Sequence, residues 1–374
     1  DYYASRGLGD VYKRQELSFE EYKTSNYVAD LLASFGHIEV LRPTKTSVVG
    51  ILRGGKPGKT VGFRADMDAL PVQEETGFSF ASKTPGVSHA CGHDMHTAML
   101  LGMAKVLASM QKELPGTVYF IFQPGEEKSP GGALPIIKSG VLKGVDAIFG
   151  AHVMPNEPAG SIGILPAGAA SSSSDGFFLT IQGKGSHGSM PQLGVDPIVT
   201  GSEIVMALQT VVSRNATPGD MAVITVGKFQ SGNAPNVIPD KAVLGASIRS
   251  VTPETRKLLE ERTRSVIDHV CKANGAQYKL DYVLGYPSIQ NNAALRELAK
   301  KAAVEAVGEK NVFDSPRIPA SEDFSYYAQV APTYFMTIGS GDGPANHNPG
   351  FKADDGAILN GIKAEVRIIL DYLN

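Results

Sequence analysis

SHACGHDMHTAMLLGMAKVLASM, residues 88–110, packs one thiol, three imidazoles and a carboxylate into its first nine positions and then runs straight into an apolar helical pattern. Cys91 and His93 stand two apart, so in an extended segment both side chains would point to one side, as a pair of metal ligands requires. An isolated Cys-x-His reads more readily as a small buried thiol beside surface imidazoles. The sequence on either side has to decide.

Working outward, residues 47–53 and 60–64 read as strands upstream, and residues 116–122 and 147–152 downstream. Strands that alternate with helical runs predict an α/β layer, whose ligands collect beyond the C-terminal ends of the strands. Asp66 and Asp68 follow one strand, Glu126 and Glu127 follow another, and His152 closes a third. Three strands thus deliver acids and imidazoles to one edge. Nearer the start, Ser18 and Glu21 have capping-box spacing, ahead of a helix marked by Tyr22, Tyr27, Val28, Leu31, Leu32 and Phe35 and stopped by Gly36. Residues 1–15 lack such periodicity and read as an atypical N-terminus, a fusion scar, truncation or sequencing artefact outside the fold.

The 374 residues exceed the roughly 250 to 300 at which a single core stops growing, so two domains are expected. Strand 177–182, helix 197–213, strands 222–229 and 241–249, helix 253–273 and strand 278–283 give a βαββαβ order, that of the ferredoxin-like motif. The serines at 171–174 and the Gly-Tyr-Pro at 285–287 make hinges on either side. Beyond them a helix (291–307), a strand (333–338) and a last helix (354–373) need the first domain's sheet to pack on. The expectation is a discontinuous α/β catalytic domain, residues 16–172 and 285–374, with a mixed sheet flanked by helices, and an inserted ferredoxin-like lid and dimerisation domain at 173–284.

Thirty-five basic against 38 acidic residues, with no long run of either sign, leave no electrostatic footprint for nucleic acid or a membrane surface. A small-molecule partner is expected instead. Two cysteines make no disulfide framework, and Cys271 falls in a helical pattern where a core role suffices. Cys91 then reads as a functional thiol kept reduced. With no apolar stretch near the roughly 18 residues of a membrane span and no signal-peptide core, a cytoplasmic setting is expected.

The chemistry concentrates in a few places. Glu126 and Glu127 are adjacent acids after a strand; since neighbouring side chains diverge, one can bind a metal while the other holds an attacking water. Cys91, His93, Glu127, His152 and His347 supply five ligands of suitable softness, enough for two metals bridged by a thiolate, with Glu126 as the base.

These residues carry a family resemblance. The chain resembles the amidohydrolase branch of the aminoacylase and carboxypeptidase G metallopeptidases, which includes hippurate hydrolases, N-acetyldiaminopimelate deacetylases and indole-acetyl-amino acid hydrolases. The matching segments are 17–21, 63–71, 89–96, 122–133, 150–155, 183–191, 236–239, 321–326 and 347–351, in the family's order. The resemblance implies that Cys91 bridges two divalent ions (Zn, Mn, Co or Ni), with Glu127 and His347 on one and His93 and His152 on the other, and that Glu126 is the general base. It implies further that Asn236 and Arg249 bind substrate, and that His187 helps to hold the oxyanion from a neighbouring subunit of a homodimer joined through its lids. Asp66, Asp68 and Asp94 are candidates to orient the imidazoles. The activity implied is metal-dependent hydrolysis of N-acyl amino acids. A dipeptidase or aminopeptidase on the same metals is the alternative, and a catalytically silent metal- or peptide-binding protein is a third reading.

Overall fold

Apolar runs bounded by turn residues become the strands of one large sheet and one smaller one. The computed structural model describes residues 14–374. In chain order the elements are α1 (Tyr22–Ser34), β1 (Ile38–Leu41), β2 (Val48–Arg53), β3 (Lys56–Asp66), α2 (His93–Ser109), β4 (Pro115–Gln123), α3 (Ala133–Lys138), β5 (Ala147–Met154), β6 (Ile162–Ile164) and β7 (Gly168–Ala169). There follow β8 (Asp175–Gln182), β9 (Ser186–His187), α4 (Pro197–Asn215), β10 (Ala222–Ser231), β11 (Val237–Ile238), β12 (Lys241–Ser250), α5 (Pro253–Ala273) and β13 (Gln277–Val283). The chain ends with β14 (Gln290–Asn291), α6 (Ala293–Val307), β15 (Val312–Asp314), β16 (Thr333–Gly339) and α7 (Gly356–Leu373).

Two units result. The first comprises the chain up to Ala170 together with Ile289–Arg317 and Asp323–Asn374; the second comprises Ser171–Ser288 and Ile318–Glu322. In the first, the sheet runs β1-β2-β4-β3-β5-β16-β14-β7, with β6 and β15 attached beside β16. It is mixed: β2 meets β4 antiparallel, whereas β3 lies parallel to β4 and β5, and β16 parallel to β5. Register brings Asp66 opposite Gln123 and Arg64 opposite Gly150. The parallel strands β3, β4 and β5 therefore release their chains on the same edge, which carries Asp68, Glu126 and His152 to one place. Met99, Leu100 and Leu101 of α2 are fully buried, and each side chain of that size contributes about 1.5–3 kcal/mol on leaving water.

Three local expectations are corrected. The capping box does not form: Glu21 precedes α1 without capping it through its side chain, because Ser18 Oγ donates to Asp68 Oδ2 at 2.7 Å and Glu21 Oε1 accepts the N–H of Phe19 and that of Gly125, each at 2.8 Å. Both residues are drawn inward by the site. Cys91 and His93 do not share an extended segment, since Gly92 between them is left-handed (φ +86°) and His93 is already the first residue of α2. A Cβ at Gly92 would lie 2.3 Å from Val153 Cγ2, so only glycine fits this turn. Finally, of the N-terminal stretch set apart at 1–15, residues 1–13 lie outside the described residues, while Arg14 places its guanidinium 3.9 Å from the Tyr27 ring centroid and Gln15 is buried.

The second unit is a four-stranded sheet in the order β10-β12-β8-β13, with each neighbour antiparallel. Both helices start where the sequence says they should. Asp196 accepts the N–H groups of Ile198 and Val199 ahead of Pro197, and Thr252 accepts that of Thr255 ahead of Pro253. Phe177, Leu179 and Ile181 alternate into a core with Leu208 of α4 and Leu259, Ile267 and Cys271 of α5, while Phe178, of opposite parity, is 60% exposed. Cys271 is a core residue. A separate two-stranded ladder pairs β9 with β11.

Candidate active site

Two groups of ligating atoms share one sulfur. Those of Cys91, His93 and His152 lie within 4.8 Å of one another, and so do those of Cys91, Glu127 and His347. Cys91 Sγ is 3.3 Å from His152 Nε2, while His152 Nδ1 donates to the Val153 carbonyl at 2.7 Å, a bond that turns Nε2 toward the sulfur. His347 stands in the left-handed region (φ +69°), held there by its own N–H on the Ala90 carbonyl at 2.7 Å. A non-glycine residue held in that conformation is a marker of functional constraint.

The turn carrying the paired acids is held by other acids. Asp68 Oδ1 accepts the Glu126 N–H at 3.1 Å and its Oδ2 accepts the Glu127 N–H at 3.0 Å. The same carboxylate takes His93 Nδ1–H at 3.3 Å, which leaves Nε2 as the ring's lone-pair nitrogen. Asp66 Oδ2 receives Arg64 Nη1 at 2.7 Å, and Arg64 extends to Asp323 Oδ1 at 2.8 Å and Gln123 Oε1 at 3.1 Å, all of them buried. The first imidazole of the opening stretch separates from the cluster, since His89 Nε2 contacts the Arg14 carbonyl. His96 is a support: Val153 N–H donates to its Nε2 at 2.8 Å and its Nδ1 donates to Asp66 at 2.6 Å, so no lone pair remains for a metal. Asp94 accepts the Met95 N–H and belongs to the first turn of α2.

Electrostatics follow from this crowding. Burial opposes the Cys91 thiolate, yet the His152 and His93 rings bring the thiol down to about 6. Burial likewise opposes a proton on His152, but the facing sulfur raises it to about 9; contacts with Cys91 and Glu127 raise His347 to about 10. Burial drives His96 down to about 3.

The residues fit a pair of divalent cations. His93 Nε2 and Glu127 Oε1 are buried without a hydrogen-bond partner, the latter 3.2 Å from His347 Nε2. Buried polar atoms are rarely left in this state without an ion or water to claim them. A thiolate, imidazoles and a carboxylate together suit zinc and its neighbours among the transition metals.

Residues 62–371 match the sequence model of Peptidase family M20/M25/M40. The chain belongs to this family. Members similar to it include the N-acyl-L-amino acid amidohydrolase of Geobacillus stearothermophilus, 43% identical over 75% of this chain and 76% of that protein. The hippurate hydrolase of Campylobacter jejuni is 37% identical over 97% of this chain and 94% of its own length. Among solved structures, a Bacillus subtilis protein described as a dinuclear metal-binding peptidase of the M20 family superposes with a TM-score of 0.87 at 34% identity, covering 100% of this chain and 99% of that one. This M20 chain is accordingly a hydrolase of the metallopeptidase and amidohydrolase type, as the resemblance implied.

The remaining predicted site residues lie in the second unit. His187 and Asn236 come together on the small ladder: Val237 pairs with His187 and the Gly188 N–H donates to the Asn236 carbonyl at 2.8 Å. Both side chains are exposed, and His187 Nδ1 accepts from Ser189 Oγ at 2.8 Å. Arg249 spends one N–H on the Ser173 carbonyl at 3.1 Å. Sequence reasoning passed over Gln123, Asp323 and the role of Glu21, each of which reaches its partner across more than a hundred positions of chain.

Proposed function

We propose that this chain hydrolyses the amide bond of N-acyl amino acids, with Cys91, His93, Glu127, His152 and His347 holding two divalent ions. The observation that carries this reading is the sharing of Cys91 by two ligand groups beside the turn bearing Glu126 and Glu127. Bound there, the ions would polarise the substrate carbonyl and acidify a water. Glu126 is the general base: it takes the water's proton and passes it to the departing amine. Asp68 fixes that turn through two backbone amides and orients His93, so base and ligand are set by one group. Arg249 reads the substrate's free carboxylate with its planar fork, Asn236 helps to seat the substrate, and His187 shares the oxyanion charge.

The relatives' names support this substrate class, two of them being an N-acyl-L-amino acid amidohydrolase and a hippurate hydrolase. In this reading the first unit is the catalytic domain and the second, with its βαββαβ order, is a ferredoxin-like lid that also pairs two chains into a homodimer. Val199 and Met206, one heptad apart on α4, are 48% and 69% exposed, and β10 is an edge strand; helix face and edge together suit an isologous contact. A reducing, cytoplasmic setting suits the free Cys91.

The test is a panel of N-acetyl and N-benzoyl amino acids, their carboxyamides and free dipeptides, assayed with Zn, Mn, Co and Ni. Turnover of the N-acyl amino acids above both other groups is expected. Preference for free dipeptides would replace the reading with a peptidase, and no turnover with any metal would remove it.

A further inference from the structure

The three successive N–H groups of Gly125, Glu126 and Glu127 all point at buried carboxylates. Asp68 takes the second and third, and Glu21 takes the first at 2.8 Å. Glu21 arrives from the far N-terminal side, 104 positions away, and its side chain is fully buried. Its Oε1 also accepts the Phe19 N–H at 2.8 Å, and its Oε2 is buried without a hydrogen-bond partner. An acid with one oxygen unsatisfied in the interior is a costly choice for a structural tie. It has also been withdrawn from the helix start where its spacing from Ser18 would let it serve.

The backbone it holds has little freedom elsewhere. Gly125 is left-handed (φ +64°), and a Cβ there would meet the Phe19 ring at 2.6 Å. Phe19 itself takes a positive φ of 67°, a strained conformation for a residue with a side chain, and it faces the left-handed glycine across the bond network that Glu21 closes. The neighbouring Ser18 hydroxyl donates to Asp68. The short segment Leu17–Ser18–Phe19–Glu20–Glu21 thereby clamps the turn from one side while Asp68 clamps it from the other.

We propose that Glu21 is a positioning residue for hydrolysis: by fixing the Gly125 amide it sets where the Glu126 carboxylate stands. The inference rests on Glu126 being the base. Hydrogen-bond acceptance, rather than charge, is what the position uses. Burial, aided by the nearby Asp68 charge, brings Glu21 up to about 7, so the isosteric amide keeps the acceptor and replaces a proton that the acid itself holds over much of the neutral range.

Glu21→Gln, Glu21→Asp and Glu21→Ala separate this role from bulk stability, with kcat, KM, metal content and Tm measured on each metal-loaded protein. E21Q should stay within ~3-fold of wild-type kcat. E21D, whose carboxylate is drawn back by about one C–C bond, roughly 1.5 Å, and E21A should lose ~10–100-fold in kcat at near wild-type KM and full metal content, since a displaced catalytic group costs on that scale. Wild-type kcat in folded E21A or E21D overturns the inference, and so does an E21Q as impaired as E21A, a loss of metal that parallels the loss of kcat, or failure of both shortened variants to fold. E126Q assayed alongside keeps the two assignments apart: an active E126Q removes Glu126 as base, while the Glu21 series still reports whether the geometry of the turn sets kcat.

Discussion

Asp68 and Glu126 are joined by a backbone N–H bond of 3.1 Å, and the oxygen that accepts it is also the one facing His93 Nδ1 at 3.3 Å. One carboxylate therefore orients the proposed base and a proposed ligand together. Its own pKa is lowered: burial opposes ionisation, but the His93 contact, the Ser18 hydroxyl and the Glu127 amide outweigh it. Asp68→Ala should reduce metal affinity by ~10–100-fold, the usual scale for a group that orients a ligating imidazole, and should lower kcat further in fully loaded protein. Titration against a chelator checks the first part. Unchanged affinity would leave Asp68 as a backbone tie alone.

The adjacent acids should separate by phenotype. Glu126→Gln should lower kcat by ~10²-fold or more, the size of a general-base contribution, with both metals retained. Glu127→Ala removes a carboxylate whose Oε1 is buried beside His347 and His93 and should lose metal first and activity as a consequence. Metal analysis of both proteins decides. Equal metal loss in the two would mean that Glu126 is itself a ligand.

Much of this arrangement was legible in the sequence because its signals are local. Caps at Asp196 and Thr252, strand alternation at Phe177, Leu179 and Ile181, and acids just past apolar strands each need only a few neighbouring residues to be read. Several of the failures share a cause: partners distant in sequence. Ser18 and Glu21 obey the local rule for a capping box, yet Asp68 and Gly125, 50 and 104 positions away, outbid it. The proximity of Cys91 to His93 was expected from alternation in an extended chain but is achieved by the left-handed turn at Gly92. Asp323, which accepts Gln123 across 200 positions, offered no spacing to notice. Short elements such as β7 and β14 also escaped, since two-residue strands carry no periodicity.

Arg249 has one N–H committed to the Ser173 carbonyl, and the rest of its fork is what the substrate carboxylate would meet. Arg249→Lys should raise KM for N-acyl amino acids far more than for their carboxyamides, because a bidentate contact becomes a single one. Comparable increases for both substrates would show that Arg249 does not read the carboxylate.

Glu365 gives a stability prediction away from the site. It lies on α7, 2% exposed, with Oε2 buried and without a hydrogen-bond partner, and burial holds its carboxyl well above the ordinary range. A carboxyl raised on folding keeps its proton where the unfolded chain has released it. Stability is therefore full below the unfolded value of about 4.3 and declines as pH rises toward the folded one. Glu365→Met, similar in length and without charge, should raise Tm at pH 8 more than at pH 5 when the metal state is held constant. An equal change at both pH values would mean that Glu365 does not titrate differently in the folded protein.

His187 is exposed on β9, and in the proposed homodimer it would serve the partner subunit's site. Each site would then combine one chain's Glu126 with the other chain's His187. His187→Ala and Glu126→Gln homodimers should both be nearly inactive, one lacking oxyanion assistance and the other its base. Unfolded and refolded together, they would form mixed dimers with one site holding an intact Glu126 and an intact His187 and a second site lacking both. Random pairing makes about half of the dimers mixed, so recovery approaching roughly a quarter of wild-type sites is the ceiling for a composite site of this symmetry. Native mass measurement establishes that the mixed dimers formed, and activity is then compared with the sum of the two separately refolded variants. Recovery above that sum requires complementation across the interface. Activity no greater than the sum, with mixed dimers present, would put His187 in its own chain's site or outside catalysis altogether.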